Sequence, residues 1–284
     1  MTDHARRRSA GFTLIELIVV LVLMTIIGAT VAVFVRPTID AYSDTRNRVA
    51  LGDMGDTALL RMVRDIRVAV PNSLRTPSES CFELVPSVSG GRYRMGPNTA
   101  NDAQWVNTSQ ATTGFDVLST LSRQPAVNDF VVINNQNGND VYAGANRATI
   151  SAVSTPSASQ GTLRLTISSL QVSPGYDGGR FQVVSQNERS VFYVCESVGL
   201  SADSKTGTGV LWRLKRDFNS AYPTACPSGS SGTVLARNVS RCRFVYSPNQ
   251  GATQQSGFVY LELGITRNGE TATLTHGAHV LNVP

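Results

Sequence analysis

From Phe12 to Val35 the chain is apolar at nearly every position, and Glu16 is the one ionisable side chain in the run. About 20 apolar residues suffice for a helix to span a bilayer, so the pattern predicts a helix of membrane length. A charge at the bilayer centre costs about 3 kcal/mol on insertion scales, and such residues are functional by default. Glu16 lies four residues into the run, roughly 6 Å along a helix, which lessens the cost without removing it. A carboxylate in apolar surroundings needs an opposite charge close by. The run contains no lysine or arginine, so the partner is expected from the chain terminus or from another molecule.

Helical periodicity continues after the run. From Tyr42, the apolar positions Val49, Leu51, Met54, Ala58, Leu59, Met62, Val63, Ile66 and Val70 recur mostly at three- and four-residue spacing, with Arg48, Asp53, Asp56, Arg61, Arg64, Asp65 and Arg67 between them. Pro71 and Asn72-Ser73 signal a stop. Pro37 should bend or locally break the helix, and Gly28, Gly52 and Gly55 weaken it. The pattern therefore predicts one long, bent helix: residues 12–36 as a membrane half, residues 37–70 as an amphipathic half for a head domain. A plain core helix would give the same pattern over 42–70.

Residues 71–284 read as β-rich, so the expected class is α+β. Short runs of Val, Ile, Phe and Tyr alternate with polar residues between Gly, Asn, Ser and Pro clusters. The expected strands are Asp129–Asn134, Asp140–Ala143, Thr162–Ser168, Arg180–Ser185, Ser190–Cys195, Val210–Arg216, Val239–Tyr246, Gly257–Thr266 and Thr271–Leu281. Asn137-Gly138 predicts a tight hairpin turn. Residues 86–110 and 154–161 read as loops, and no internal repeat is evident. The segment is long enough to bury a substantial core, as one large head or a head with an inserted subdomain.

Charge sets the topology. Arg6, Arg7 and Arg8 precede the apolar run, and the positive-inside tendency keeps them cytoplasmic while the C-terminal part crosses. The four cysteines, Cys81, Cys195, Cys226 and Cys242, all follow the run and form no CxxC pair. That excludes the usual zinc-ribbon spacing and suits disulfides in an oxidising compartment. The Ser-, Gly- and Thr-rich stretch between Cys195 and Cys226 favours a bond between those two, leaving Cys81 with Cys242; free buried thiols are the alternative. Arginines beyond residue 11 are mostly dispersed, which gives no nucleic-acid surface.

The run differs from a cleaved secretory signal in its length and in the Arg36-Pro37 that follows it. Between the basic leader and the run stands Gly11-Phe12-Thr13-Leu14-Ile15-Glu16, which closely resembles the processing signal of type IV pilins and pseudopilins. The resemblance implies that a prepilin peptidase cuts after Gly11 and methylates the new amine of Phe12. It also implies that Glu16 pairs with the N-terminal amine of a neighbouring subunit. Loss of residues 1–11, with three Arg and one Asp, would leave a net charge of about +3. Other segments resemble the large minor pilins of the mannose-sensitive haemagglutinin (MSHA) pilus system: Arg61–Leu74, Gly90–Arg94, Asp140–Arg147 and Ala236–Phe244. That resemblance implies a low-abundance subunit at pilus initiation or at the tip, partnered by other pilin subunits and an inner-membrane assembly platform. The corresponding location is a single inner-membrane pass with a periplasmic head before assembly, and the pilus or pseudopilus afterwards.

The search for other chemistry is largely negative. His276 and His279 are three apart, which on a strand places them on opposite faces. The Gly-rich stretches 205–209 and 229–232 lack the Gly-Lys-Ser/Thr ending of a phosphate loop. Asn134–Asp140 is rich in oxygen ligands of the kind calcium prefers, but lacks the EF-hand acidic pattern. No Ser, His and Asp spacing suggests a nucleophile with its base. The expectation is a structural subunit with no enzymatic activity, no cofactor and no metal. A large J-type pseudopilin of a type II secretion system and a membrane-anchored adhesive protein are the alternatives.

Overall fold

The computed structural model describes residues 11–173, 178–250 and 256–282, without the side chains of residues 36, 249 and 250. It comprises a long bent helix and a β-rich head, the expected α+β class. Helix α1 spans Leu14–Arg67 and contains Pro37 within its length. The chain divides into two compact units, residues 1–50 and 51–284.

Among the described residues of the first unit none is buried: Phe12 is 82% exposed and the apolar side chains from Leu14 to Val35 are exposed. The hydroxyls of Thr25 and Thr30 fold back onto the carbonyls of Val22 and Ile26, so even the polar residues of the run leave no unpaired donor. Tyr42 and Val49 are also exposed.

Burial begins in the second unit, at Leu51. Leu51, Ala58, Leu59, Met62, Val63 and Ile66 form one helical face and enter the main core. The helix ends at Arg67, short of the expected Val70, because the Val70 N–H is captured by the Val85 carbonyl and Ala69 bridges Pro86. The helical face packs on an antiparallel seven-stranded sheet of β1 (Arg75–Ser78), β2 (Cys81–Leu84), β9 (Ser190–Glu196), β10 (Gly209–Arg216), β11 (Thr233–Gln250), β12 (Ser256–Arg267) and β13 (Glu270–Leu281), in that order. The sheet curls enough for β11 to reach the β1–β2 turn. There the Phe244 N–H donates to the Glu79 carbonyl, and the Cys195 N–H to the Ser80 carbonyl.

Between β2 and β9 the chain inserts a second sheet: β3 (Ser89–Arg92), β4 (Thr112–Val117), β5 (Phe130–Val132), β6 (Arg147–Ser154), β7 (Leu163–Leu170) and β8 (Arg180–Val184), in the order β3-β8-β5-β6-β7-β4. A bridge from Tyr93 to Val117, flanked by Arg94 N–H to Asp116 O and Leu118 N–H to Arg92 O, joins β3 to β4. The insert is therefore a closed antiparallel barrel. Register shifts in the β4–β7 and β6–β7 ladders supply curvature, and Tyr93, Phe115, Val131, Ile150, Leu165, Ile167, Phe181 and Val183 fill the interior.

Eight of the nine expected strands are present. Asp140–Ala143 is instead a short helix, α2, ended by Gly144 at φ 89°. Its residue types favour a strand, but the left-handed Gly144, whose N–H donates to the Asp140 carbonyl, closes a helical turn instead. The expected hairpin at Asn137-Gly138 is accordingly absent; the segment leads from β5 into α2. β3 falls inside the predicted 86–110 loop, where its Ser-Gly-Gly-Arg sequence carries no strand signal.

Candidate assembly interface

The helix start is built by a reciprocal pair of contacts. Thr13 stands just before the first helical residue, and its hydroxyl accepts from the Glu16 N–H at 3.3 Å. The Glu16 carboxylate in turn accepts from the Thr13 N–H and hydroxyl, both at 3.1 Å. This is a capping box, Thr-x-x-Glu, which satisfies donors that a helix N-terminus otherwise leaves open. Glu16 thus has a partner within its own segment, where the apolar pattern pointed to the terminus or another molecule. The Thr13–Glu16 spacing is the signal for it in the sequence. The carboxylate remains exposed, so oxygen lone pairs are left for a further donor, and a carboxylate in the first turn suits the helix dipole.

Gly11 and Phe12 precede this cap outside any helix or strand, both exposed. Arg6, Arg7 and Arg8 lie outside the described residues. From Leu17 to Val35 no ionisable side chain interrupts the helix surface, and the helix is long and apolar enough to cross a membrane. The geometry offers a capped, accessible start followed by about five turns of uncovered apolar surface.

Residues 6–32 match the family model described as the prokaryotic N-terminal methylation motif. The match covers the basic leader, Gly11, Phe12, Glu16 and most of the apolar run, and leaves the head outside it. The motif is typical of type IV pilins and pseudopilins. No curated protein and no solved structure matches the chain.

The head offers the continuation of the motif-bearing helix a docked seat. Asp65, 5% exposed, accepts from Tyr193 Oη–H at 2.7 Å and from Arg213 Nε and Nη2 at 3.0 and 2.6 Å. Arg213 also reaches Glu188 at 2.6 Å. Burial and the neighbouring Asp65 charge push the Tyr193 hydroxyl pKa up, holding it neutral as a donor. Burial alone would lower the Arg213 pKa, but its bonds to Glu188 and Asp65 raise it overall. Likewise burial would raise Glu188, yet its bond to Arg213 holds it below the usual carboxylate range.

A second buried cation locks the barrel to the sheet. Arg75 of β1 is fully buried and donates to the carbonyls of Gly138, Asn219 and Ala221 and to Asn139 Oδ1. Its guanidinium lies 3.3 Å from the Tyr142 ring centroid. Burial lowers its pKa, although the neighbouring Tyr142 hydroxyl and Glu83 carboxylate oppose this. Within the oxygen-rich segment 134–140, Gly138 and Asn139 accept from Arg75, and Asn135 Oδ1 accepts from the Val141 N–H and from Asn146. Among the described residues no group of three His, Cys, Asp or Glu side chains is placed to hold a metal. His276 pairs with Asp56 at 2.9 Å, and His279 stands exposed against Phe258.

All four cysteines form disulfides, but not in the favoured pairing: Cys81 joins Cys226, and Cys195 joins Cys242. Strand alternation explains the correction. Cys81 sits opposite Val194 in the β2–β9 register, so Cys195 points to the other face. Cys81, Phe192, Val194 and Leu214 form a cluster with Trp212 and the Cys226 loop on one side. Cys195 and Cys242 lie in the main core on the other. Non-reducing peptide mapping should return 81–226 and 195–242. Replacing both members of the Cys195–Cys242 pair should cost about 4 kcal/mol on the chain-entropy view of a loop this long, read as a lower denaturation midpoint.

Proposed function

We propose that this chain is a minor pilin-like structural subunit of a type IV pilus, resembling the large MSHA minor pilin MshO in its role at initiation or at the tip. The observation that carries the reading is the methylation motif running directly into a capped helix whose apolar surface its own chain leaves uncovered. In the membrane that surface is solvated by lipid; in a filament it would be covered by the helices of other subunits. Prepilin peptidase would remove residues 1–11 after Gly11 and methylate Phe12. Residues 12–36 would then serve as the membrane and assembly helix, 37–70 as the part leading to the head, and 71–284 as the exported head. Before assembly the chain would cross the inner membrane once, with a periplasmic head held by the assembly platform.

Size and cross-linking support a minor rather than a repeating subunit. A head carrying an inserted barrel is bulky for a position repeated along a filament, and two disulfides suit an exported protein. The role is structural rather than catalytic. The competing reading, a large J-type pseudopilin, makes the opposite prediction on deletion of the gene. Loss of surface pili with enzyme secretion intact is expected; intact pili with lost secretion would replace the pilus reading with the secretion-system one.

A further inference from the structure

The inserted barrel carries a surface cavity on the segment leading into β4. Residues 103–107 run beside that strand and are fixed to it by their backbone. The Asp116 N–H donates to the Gln104 carbonyl at 2.9 Å, and Asp116 Oδ2 accepts from the Gln104 N–H at 2.8 Å. The Val106 N–H donates to the Arg94 carbonyl and the Asn107 N–H to Thr112 Oγ1. Just beyond β7, Gln171 Nε2 donates to the Thr108 carbonyl and ties down the turn that follows. Ala103 and Val106 are buried by this arrangement, while Trp105 between them is left partly exposed. With Gln104, Asn107, Gln110 and Thr113, Trp105 lines a cavity of about 270 Å³.

The lining narrows the chemistry of what could enter. No Lys, Arg, Asp or Glu side chain lines the cavity, so an anion or a metal ion would find no counter-charge. Apart from the indole, its apolar side chains are those of Ala103 and Ala111, too little surface for a lipid chain. An extended peptide is held by a row of backbone groups along a strand edge, whereas this cavity is ringed by side chains. Their hydrogen-bonding capacity is unspent. Among the described residues, the side chains of Gln104, Trp105, Gln110 and Thr113 have no hydrogen-bond partner. Asn107 Oδ1 accepts from the Ser109 N–H, which leaves its Nδ2 free. Side-chain amides both donate and accept, as the adjacent hydroxyls of a sugar require. A Cβ at Gly114 would come within 2.6 Å of Gln104 Oε1, so the glycine allows this amide to lie across β4. The negative face of the indole suits the polarised C–H bonds on one face of a sugar ring.

We propose that this cavity binds a neutral carbohydrate, one pyranose ring or the end of a short neutral oligosaccharide. One face of the ring lies on Trp105, and its hydroxyls are shared among Gln104, Asn107 and Gln110. The volume falls just below the range of about 300–1,000 Å³ that takes drug-sized ligands, which suits one ring. The segment is already fixed to the barrel, so little ordering is lost on binding. For about a dozen non-hydrogen atoms, ordinary ligand efficiency gives a dissociation constant of about 1 mM. The site lies in the barrel and does not rest on the pilin reading.

The test uses the full chain in a detergent without a sugar headgroup. Methyl glycosides of the common neutral hexoses and N-acetylhexosamines, with their di- and trisaccharides, are titrated and followed by tryptophan fluorescence and saturation-transfer NMR. At least one should bind saturably at about 1 mM. Trp105→Ala should weaken that binding about tenfold or more, and Trp105→Phe, which keeps a flat ring, by less. Gln104→Ala with Gln110→Ala should also weaken it about tenfold with the indole in place. Ala111→Phe fills the cavity from an exposed position and should abolish binding at an unchanged melting temperature. Trp212, the other tryptophan, lies under Gly229 away from this cavity, so Trp212→Phe should bind as wild type. No saturable binding by any of these sugars at about ten times that concentration overturns the proposal. So does binding indifferent to Trp105→Ala and Ala111→Phe, or a preference for sulfated sugars or neutral tripeptides over every neutral sugar.

Discussion

Replacing Asp65 with alanine is expected to cost the head about 3–5 kcal/mol, the range for breaking a buried ion pair from one side. The size follows from what remains behind. Arg213 and the Tyr193 hydroxyl both lie within 3.0 Å of the same carboxylate oxygen, and without it two buried donors lose their shared acceptor. Arg213 would keep Glu188, which is why the upper end of the range is not exceeded. For a domain of this size each kcal/mol moves the melting temperature by about 2–4 °C, so a fall of about 10 °C is expected in calorimetry. Asp65→Asn keeps an acceptor and should lose roughly half as much. Asp53→Ala, on an exposed turn of the same helix, should stay within about 0.5 kcal/mol of wild type. A melting temperature unchanged by Asp65→Ala would show that helix docking rests on the apolar face alone.

The second large effect is expected at Glu16, in assembly rather than stability. Two roles compete for this carboxylate: the cap to Thr13 seen in the helix start, and the intersubunit pairing with an amine that the pilin resemblance implies. Glu16→Ala removes both and Glu16→Gln removes only the charge, because glutamine at this position of a capping box still accepts from the backbone. If charge pairing governs incorporation, both variants should be processed normally and both should be lost from sheared filaments, by about tenfold or more. If capping governs, Gln should incorporate like wild type. Equal incorporation of Ala and wild type would remove Glu16 from assembly altogether.

What was legible in the sequence was the periodic part. The apolar run from Phe12 to Val35 and the three- and four-residue spacing through Ile66 marked α1, and alternation marked the long strands β9 to β13. The misreadings concern choices made by distant residues. β1 and β2 are four residues each, too short for a pattern, and exist because β9 pairs with β2. Nothing local to Tyr93 or Val117 announces that they bridge to close a barrel. The disulfide pairing depended on which face of β9 each cysteine shares, and that requires the β2–β9 register. The capping box is different: its Thr-x-x-Glu spacing stands in the sequence, and the apolar run around it drew attention to the charge of Glu16 instead of its hydrogen-bonding reach.

In the proposed reading residues 1–11 are a leader and the functional chain begins at Phe12. Mass spectrometry of the protein recovered from membranes of cells with active prepilin peptidase tests it directly. The N-terminal peptide should begin at Phe12 and carry one additional methyl group on its amine. A chain that retains Arg6, Arg7 and Arg8 in those cells would contradict it.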